Sequence, residues 1–301
     1  MNAAEIRPAR PDDAPAVVAL RALVFPYLVR GVESTRRMIA EPPPGEDWAA
    51  WVAEADGEVV GWASAYRNTQ TSTPGVGMIS LLHVHPAHRR HGTGAALFDT
   101  ALGHLLTLGS TEVLTYAHTE SLPFAQRHDF TPSREVRYSA LDLSTPPPMP
   151  QAPPGVRLVS AAGLDPRLVH RVDAEASRDE PGDVPTDSLG FDLWRYECWD
   201  NPGLDREAST LAEVDGELVA LTLVQRDGER MWSDFTGTLP AYRGRGLARL
   251  AKQAALHRAA ARGARTAYTS NHEVNAPMLA INERLGYRPV DSQWSCRRTL
   301  S

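Results

Sequence analysis

Two stretches of this sequence set arginine and glycine at the start of an alanine- and leucine-rich segment. One runs from His85 through Arg89, Arg90, His91, Gly92, Thr93 and Gly94; the other runs from Leu239 through Arg243, Gly244, Arg245, Gly246, Leu247 and Ala248. In each, an arginine stands three positions after a proline, Pro86 or Pro240, and a glycine six positions after it. A helix N-terminus has unsatisfied N–H groups and a partial positive charge, and glycine there leaves room for an anion such as a phosphate to reach them. Arg90 and Arg245 can reach toward the same charge. Taken singly, each stretch also fits a tight strand-to-helix turn with exposed arginines. Repeated in register, they indicate a chain built twice. Neither is a nucleoside-triphosphate loop, which ends in Gly-Lys-Ser/Thr, and the glycine spacing is not that of a dinucleotide fingerprint.

The elements around the two loops follow the same order. Residues 51–66 are two alternating apolar segments around Asp56-Gly57, a hairpin signal, and residues 210–224 repeat it around Asp215-Gly216. Each hairpin leads to another strand, at residues 77–84 or 230–239, and then to the glycine loop. The helix that follows ends at Gly109 or Gly263, as helix C-termini prefer. A strand at 111–117 or 265–270 comes next, and a short helix running into an aromatic, at 123–130 or 277–287, closes each half. Strand alternation along 230–239 puts Trp232, Asp234, Thr236 and Thr238 on one face. The prolines of residues 144–155 cannot continue a ladder or a helix, so that segment reads as an extended linker between domains at 1–143 and 156–301. The expected fold is α+β, one unit used twice.

Composition agrees with this. At 301 residues, 42% hydrophobic and 23% charged, the chain has material for two globular cores, and its net charge of −6 argues against a large nucleic-acid footprint. No apolar run approaches the roughly 20 residues of a membrane span, and the N-terminus lacks the basic-then-apolar form of a secretion signal. The expected setting is the cytoplasm, as a monomer or homodimer, with Cys198 and Cys296 as structural thiols. The histidines form no metal set; His83, His85, His88 and His91 flank the first loop and are expected to border phosphate. Trp48, Trp51 and Trp62 read as core.

Arg89-x-x-Gly92-x-Gly94 and Arg243-x-x-Gly246-x-Ala248, each following a strand, resemble the acyl-CoA pyrophosphate motif of the GNAT N-acetyltransferases. Residues 275–289, "NAPMLAINERLGYRP", are similar to that superfamily's last motif, and residues 6–20 resemble its usual first strand and helix. The resemblance covers nearly the whole chain, once per half, and the tandem layout resembles mycothiol synthase-type members. It implies a mostly antiparallel sheet whose fourth and fifth strands splay, with open backbone groups that hold the pantetheine arm like an added strand. The coenzyme positions so implied are Thr236, Gly237, Thr238, Arg243, Gly244, Arg245, Gly246, Leu247, Ala248 and Asn275 in the second half. In the first they are Leu82, His83, Val84, Arg89, Arg90, His91, Gly92, Thr93 and Gly94. Asn275 equally fits a helix cap.

Acetyl transfer to an amine asks for a proton acceptor, a polarised carbonyl and a donor to the departing thiolate. Asp234 lies six residues before Pro240, where many members of the superfamily carry an acidic base; desolvation in a half-buried groove would raise its pKa. A structural or merely cation-anchoring aspartate is the alternative. The matching residue of the first half, Ser80, cannot be a base. Many relatives have a tyrosine five residues before the final aromatic to protonate sulfur; this chain has Asn282 and Ala125 there. Asn282 can hydrogen-bond a sulfur but is no acid at neutral pH. Tyr268 is another candidate donor, with a core role as its alternative. Asp129 stands where the second half has Gly286.

The second half is therefore expected to be catalytic, through Asp234 and Asn282, and the first to be degenerate, retaining at most coenzyme binding. Glu175, Asp179, Glu180, Asp183 and Asp187, then Phe191, Trp194, Cys198 and Trp199, would suit a cationic amine at the acceptor mouth. A solvated acidic loop followed by a core helix fits them as well. The expected function is acetyl-CoA-dependent N-acetylation of the primary amine of a small cationic acceptor, without a metal. The alternative is an acyl-CoA sensor without turnover.

Overall fold

Asp56 and Gly57 take φ 52° and 82°, and Asp215 and Gly216 take 51° and 83°, the left-handed pair that a two-residue hairpin turn demands. Each turn closes a hairpin in the structure, a computed structural model that describes residues 4–300. The chain forms two units, one of residues up to Glu135 together with those from Ser292, the other Val136–Asp291.

The first unit contains β1 (Glu5–Pro8), α1 (Ala14–Val24), α2 (Val32–Ala40), β2 (Ala49–Ala55), β3 (Glu58–Arg67), β4 (Val76–Val84), α3 (Thr93–Thr107), β5 (Glu112–His118) and α4 (Leu122–Arg127). From β1 to β4 the strands pair antiparallel in sequence order, and β4 then pairs β5 in parallel. Strand β6 (Thr131–Asp142) leads into the second unit. There β7 (Val156–Ser160), α5 (Pro166–Ala176), α6 (Phe191–Trp194), β8 (Thr210–Val214), β9 (Glu217–Asp227), β10 (Arg230–Thr238), α7 (Leu247–Ala261), β11 (Thr266–His272) and α8 (Ala276–Leu285) repeat the plan, and β12 (Arg288–Thr299) ends the chain.

The last strand of each unit comes from the other half of the sequence. β5 is completed by β12, with Gln293 opposite His118, and β11 by β6, with Val136 opposite His272. The units therefore differ from a division at the proline-rich linker: residues 136–142 go with the second unit and 292–299 with the first. The two strands follow similar helices, and nothing in their local pattern says which ladder each completes.

Two features of the second unit's strands position the site. β10 and β11 pair only at Arg230–Trp232 with Thr266–Tyr268, and among the described residues no later pair forms, so the strands part beyond Trp232 and Tyr268. Gly263 ends the helix between them at φ 99°. The second feature is a bulge. Ser233 is opposite Val224 and Thr236 opposite Thr222, so two residues of β10, Asp234 and Phe235, face one of β9. Ser233 and Thr236 thereby share a face, and the Thr236 hydroxyl lies 3.1 Å from that of Thr222. Asp234 points to the other face, where its Oδ2 accepts from Gln225 at 3.0 Å. The expected single face of Trp232, Asp234, Thr236 and Thr238 is thus corrected: the bulge reverses the alternation between Asp234 and Thr236.

Helices cover both faces. α5 lies on the face of Leu221, where a Cβ at Gly237 would come within 2.8 Å of Ala176. α7 lies on the face of Val224 and Met231, packing Ala255, Leu256 and Ala259 there with Tyr287.

Candidate functional site

A cleft of about 650 Å³ opens in the second unit where β10 and β11 diverge, bounded by the N-terminal ends of α7 and α8. Its phosphate-sized end is the loop before α7. Gly244 and Gly246 adopt φ 76° and 75°, and Gly246 caps α7 without any side-chain hydrogen bond to the first-turn N–H groups. A Cβ at Gly246 would have nothing within 4 Å. The end of a 15-residue helix is thus presented bare to the cleft, which suits an anion.

The arginines of the loop divide their work. Arg243 Nε donates to the Thr238 carbonyl at 3.2 Å, and its Nη1 pairs with Asp179 at 2.6 Å. Arg89 Nε makes the same bond to the Val84 carbonyl at 3.1 Å. The first arginine of each loop therefore ties the loop to the strand end. Arg245 lies over the Tyr242 ring at 5.1 Å and is not among the residues that line the cleft. Two arginines passed over in the sequence do line it: Arg249, in the first turn of α7, and Arg284 of α8. Arg249 was legible as a first-turn cation beside the glycine.

Asp234, Thr236, Gly237, Thr238, Arg243, Gly244, Gly246, Leu247, Ala248 and Asn275 all line this cleft, so most of the expected second-half residues meet in one place. Asn275 also caps α8, its Oδ1 accepting from Met278 N at 3.3 Å. Asn282 does not line the cleft. It is buried, its Nδ2 donates to Asn271 Oδ1 at 2.7 Å, and its Oδ1 has no partner among the described residues. Tyr268 sits in the paired part of β11 beneath the Arg230 guanidinium, away from the cleft lining.

Asp234 is exposed at the cleft wall, where a half-buried groove was expected. The burial is at its neighbours. Asp173 of α5 is buried, accepts from Trp194 Nε1 at 2.8 Å, and is pushed up to about 7 by burial, with the charges of Asp234 and Glu180 adding. Crowding by the cleft walls, and then Asp234, raises the Glu180 carboxyl, although its side chain still reaches solvent. Of the acidic segment, Asp179 and Glu180 line the cleft. The aromatic stripe does not. Trp194, Cys198 and Trp199 are buried core, the two indoles stacked at 5.9 Å, so the core account of that helix holds.

Lys252 was missed altogether. It is 1% exposed, reaches the cleft floor from α7, and lies 3.4 Å from Thr269 Oγ1. It is the only lysine in the sequence, so the signal was there in the residues, but an alanine-rich helix alone did not say that it turns inward.

In the first unit Gly92 caps α3 at φ 86°, also without a side-chain bond, and Arg90 takes φ 65°. His91 is exposed, Leu82 half-buried, and Val84 and Thr93 buried. A Cβ at Gly94 would meet Val84 and Phe124 at 3.7 and 3.8 Å. His83 cannot be a cation beside phosphate: burial, then Arg21, His118 and Arg89, lowers its pKa to about 3.

Among the described residues no cluster of His, Cys, Asp and Glu could hold a metal ion, and no helix is long and apolar enough to cross a membrane. The family model described as Acetyltransferase (GNAT) family matches residues 19–130 and again 172–287. A mycothiol acetyltransferase of Amycolatopsis mediterranei is 30% identical over 249 residues, covering 78% of this chain and 79% of that protein. One from a Nocardioides species is 26% identical over 243 residues, 72% of this chain and 78% of its own. Among solved structures, a tandem GNAT protein from the clavulanic acid biosynthesis pathway superposes with a TM-score of 0.76 at 22% identity, covering 98% of both chains. A GCN5-related N-acetyltransferase from Sphaerobacter thermophilus does so at 0.72 and 22%, covering 98% and 95%. The chain belongs to the GNAT acetyltransferase family and carries its domain twice.

Proposed function

We propose that this acetyltransferase moves the acetyl group of acetyl-CoA to the primary amine of a small, cationic acceptor in the cleft of the second unit. One observation carries the reading: the bare end of α7 and the carboxylate of Asp234 open into the same cleft, joined by the free edge of β10. The N–H groups after Gly246, with Arg249 and Arg284, fit the coenzyme's phosphates. The strand from Thr238 back to Ser233 has no partner on its β11 side, so its backbone suits the amides of the pantetheine arm. When bound, acetyl-CoA supplies a thioester open to attack by an amine.

With Asp179 paired to Arg243, Glu180 and Asp234 are the carboxylates that draw an ammonium group to the acceptor's approach. Asp234 then takes its proton, directly or through water, and leaves the nitrogen lone pair free. The test is a screen of amines with acetyl-CoA, read by the mass of the acetylated product. It should contain polyamines, aminosugars, aminoglycosides and the amine precursor of mycothiol, since curated relatives bear that name. A cationic small amine should gain an acetyl group. Coenzyme binding with no amine acetylated across the panel would replace this reading with that of an acyl-CoA sensor.

A further inference from the structure

We infer that Lys252 is the proton donor to the departing thiolate, the part that Asn282 cannot play. The inference rests on the acetyl-transfer reading above. Lys252 stands in the second turn of α7, and its Nζ reaches the point where the two strands part. Thr269, 3.4 Å from Nζ, is the first residue of β11 beyond the ladder, and Ser233 is the first of β10. The Ser233 hydroxyl lies 3.1 Å from that of Tyr287, and Nζ lies 5.0 Å from the Tyr287 ring centre.

An arm anchored at the end of α7 and laid along β10 from Thr238 to Ser233 covers roughly 16 Å, at about 3.3 Å per residue. Its reactive end then comes to the gap beside Lys252. Asp234 approaches this gap from the face covered by α5, and Lys252 from the face covered by α7. A proton acceptor and a proton donor thus flank the reacting bond from opposite sides of the sheet.

Apart from the face of the Tyr287 ring, its surroundings supply no counter-charge. Among the described residues no carboxylate is within ion-pair distance of Nζ, and an unpaired buried ammonium is costly to keep. β11 offers it the Thr269 hydroxyl and the segment after α8 the face of the Tyr287 ring, whose own hydroxyl is bonded to that of Ser233 on β10. The other charged groups along the same cleft are Arg249 on its own helix, Arg243 in the loop before it, Arg284 on α8, and Asp179, Glu180 and Asp234 on the acceptor side. Burial alone brings Lys252 to about 7, so near neutrality it can both hold and release a proton. In the reaction the acceptor nitrogen forms the C–N bond, the C–S bond breaks, and its electron pair goes to sulfur. Asp234 receives the proton from nitrogen and Lys252 gives one to sulfur; exchange with water resets both.

The experiment needs no acceptor. Coenzyme A and desulfo-coenzyme A, which lacks the sulfur, are titrated into the wild-type protein and into Lys252→Met by calorimetry. Thiolate absorbance of bound coenzyme A is followed against pH in the same two proteins. The wild type should bind coenzyme A about tenfold more tightly than the desulfo compound, and Lys252→Met should lose that preference while keeping the desulfo affinity. The thiolate should form at a pH about one unit lower in the wild type than in the variant. Lys252→Gln, which keeps a donor but no transferable proton, is a second folded control and should also lack the thiolate shift. A Met variant that keeps the sulfur preference and the thiolate midpoint overturns the inference, as does one that loses both ligands equally, which marks a structural lysine. A wild type that binds neither compound overturns the acetyl-CoA reading itself.

Discussion

At the point where its strands part, the first unit is bridged by a side-chain hydrogen bond and the second holds a lysine. Thr115 Oγ1 donates across the β4–β5 gap to the Ile79 carbonyl at 2.8 Å, whereas its counterpart Thr269 faces Lys252 instead. Phe98 stands six residues after Gly92, as Lys252 stands six after Gly246, and its ring packs on His128 at 4.1 Å and Phe124 at 6.2 Å. The scaffold therefore accepts an apolar ring at this position, worth roughly 2–3 kcal/mol of burial. The second unit forgoes that stabilisation and holds an amine at the floor of an open cleft. What the pair teaches is that this fold can be built with an apolar ring at the position, so a buried lysine there points to the chemistry of the cleft.

The loops offer the sharpest way to break this comparison. Gly92 and Gly246 have the same backbone, φ 86° and 75°, and the same open space where a Cβ would go. Valine at either position pays the same left-handed strain, so folding cannot separate the two variants. Gly246→Val should abolish measurable acetyl transfer, whereas Gly92→Val should keep most of it, each checked by circular dichroism for a native fold. The reverse result would move the catalytic site to the first unit.

Asp234 against Ser80 comes next. Asp234→Asn should lower turnover by roughly 10²-fold with coenzyme affinity little changed, and Ser80→Ala should leave turnover where it is. Steady-state kinetics on any acceptor from the amine screen, with coenzyme affinity measured separately, decides it. Turnover near wild type in Asp234→Asn would remove the aspartate from proton transfer.

Much of this frame was legible in the residues, and the parts that were not have common causes. Asp-Gly pairs announce their turns because few residues take two successive positive φ values, and Gly109 and Gly263 end their helices for the same reason. The bulge at Asp234 and Phe235 left no such mark, since neither residue takes positive φ, so simple alternation put Thr236 on the wrong face. The exchange of β6 and β12 between ladders is a long-range choice between two similar edges. Asp129 against Gly286 had looked like wear in the first half, yet Asp129 takes φ 63° and its amide donates to Gln126 just as that of Gly286 donates to Glu283. Aspartate tolerates that turn, so this difference is one of sequence and not of geometry.

The contrast between Lys252 and Phe98 can be sharpened through stability. Burial lowers the lysine from 10.5 in the unfolded chain to about 7 in the folded one. Between those values the unfolded state binds the extra proton, so the folded state gains stability as pH rises through the window. The cost of the charge is complete below about pH 7 and fades toward 10.5. Lys252→Met should therefore stabilise the second unit by roughly 1–4 kcal/mol at pH 6.5, and by clearly less at pH 9.5. Urea midpoints at the two pH values test the sign. An equal gain at both would mean that side-chain shape, and not charge, sets the penalty.

Arg90 against Gly244 gives the smallest effect and tests whether the first unit still takes coenzyme. Both positions are left-handed, φ 65° and 76°, but only Arg90 carries a side chain there. A left-handed backbone costs a residue with a Cβ about 1–2 kcal/mol, and glycine returns roughly 0.5–1 kcal/mol of that through its looser unfolded chain. Arg90→Gly should therefore raise the stability of the first unit by about 1 kcal/mol or less, a shift of a few degrees in melting temperature at most. Calorimetry should meanwhile find the same number of coenzyme sites per chain before and after the change, because the bare helix end at Gly92 is left intact. Two sites in the wild type falling to one in Arg90→Gly would show that Arg90 holds phosphate and that the first cleft opens. The two units would then differ in chemistry while sharing a ligand.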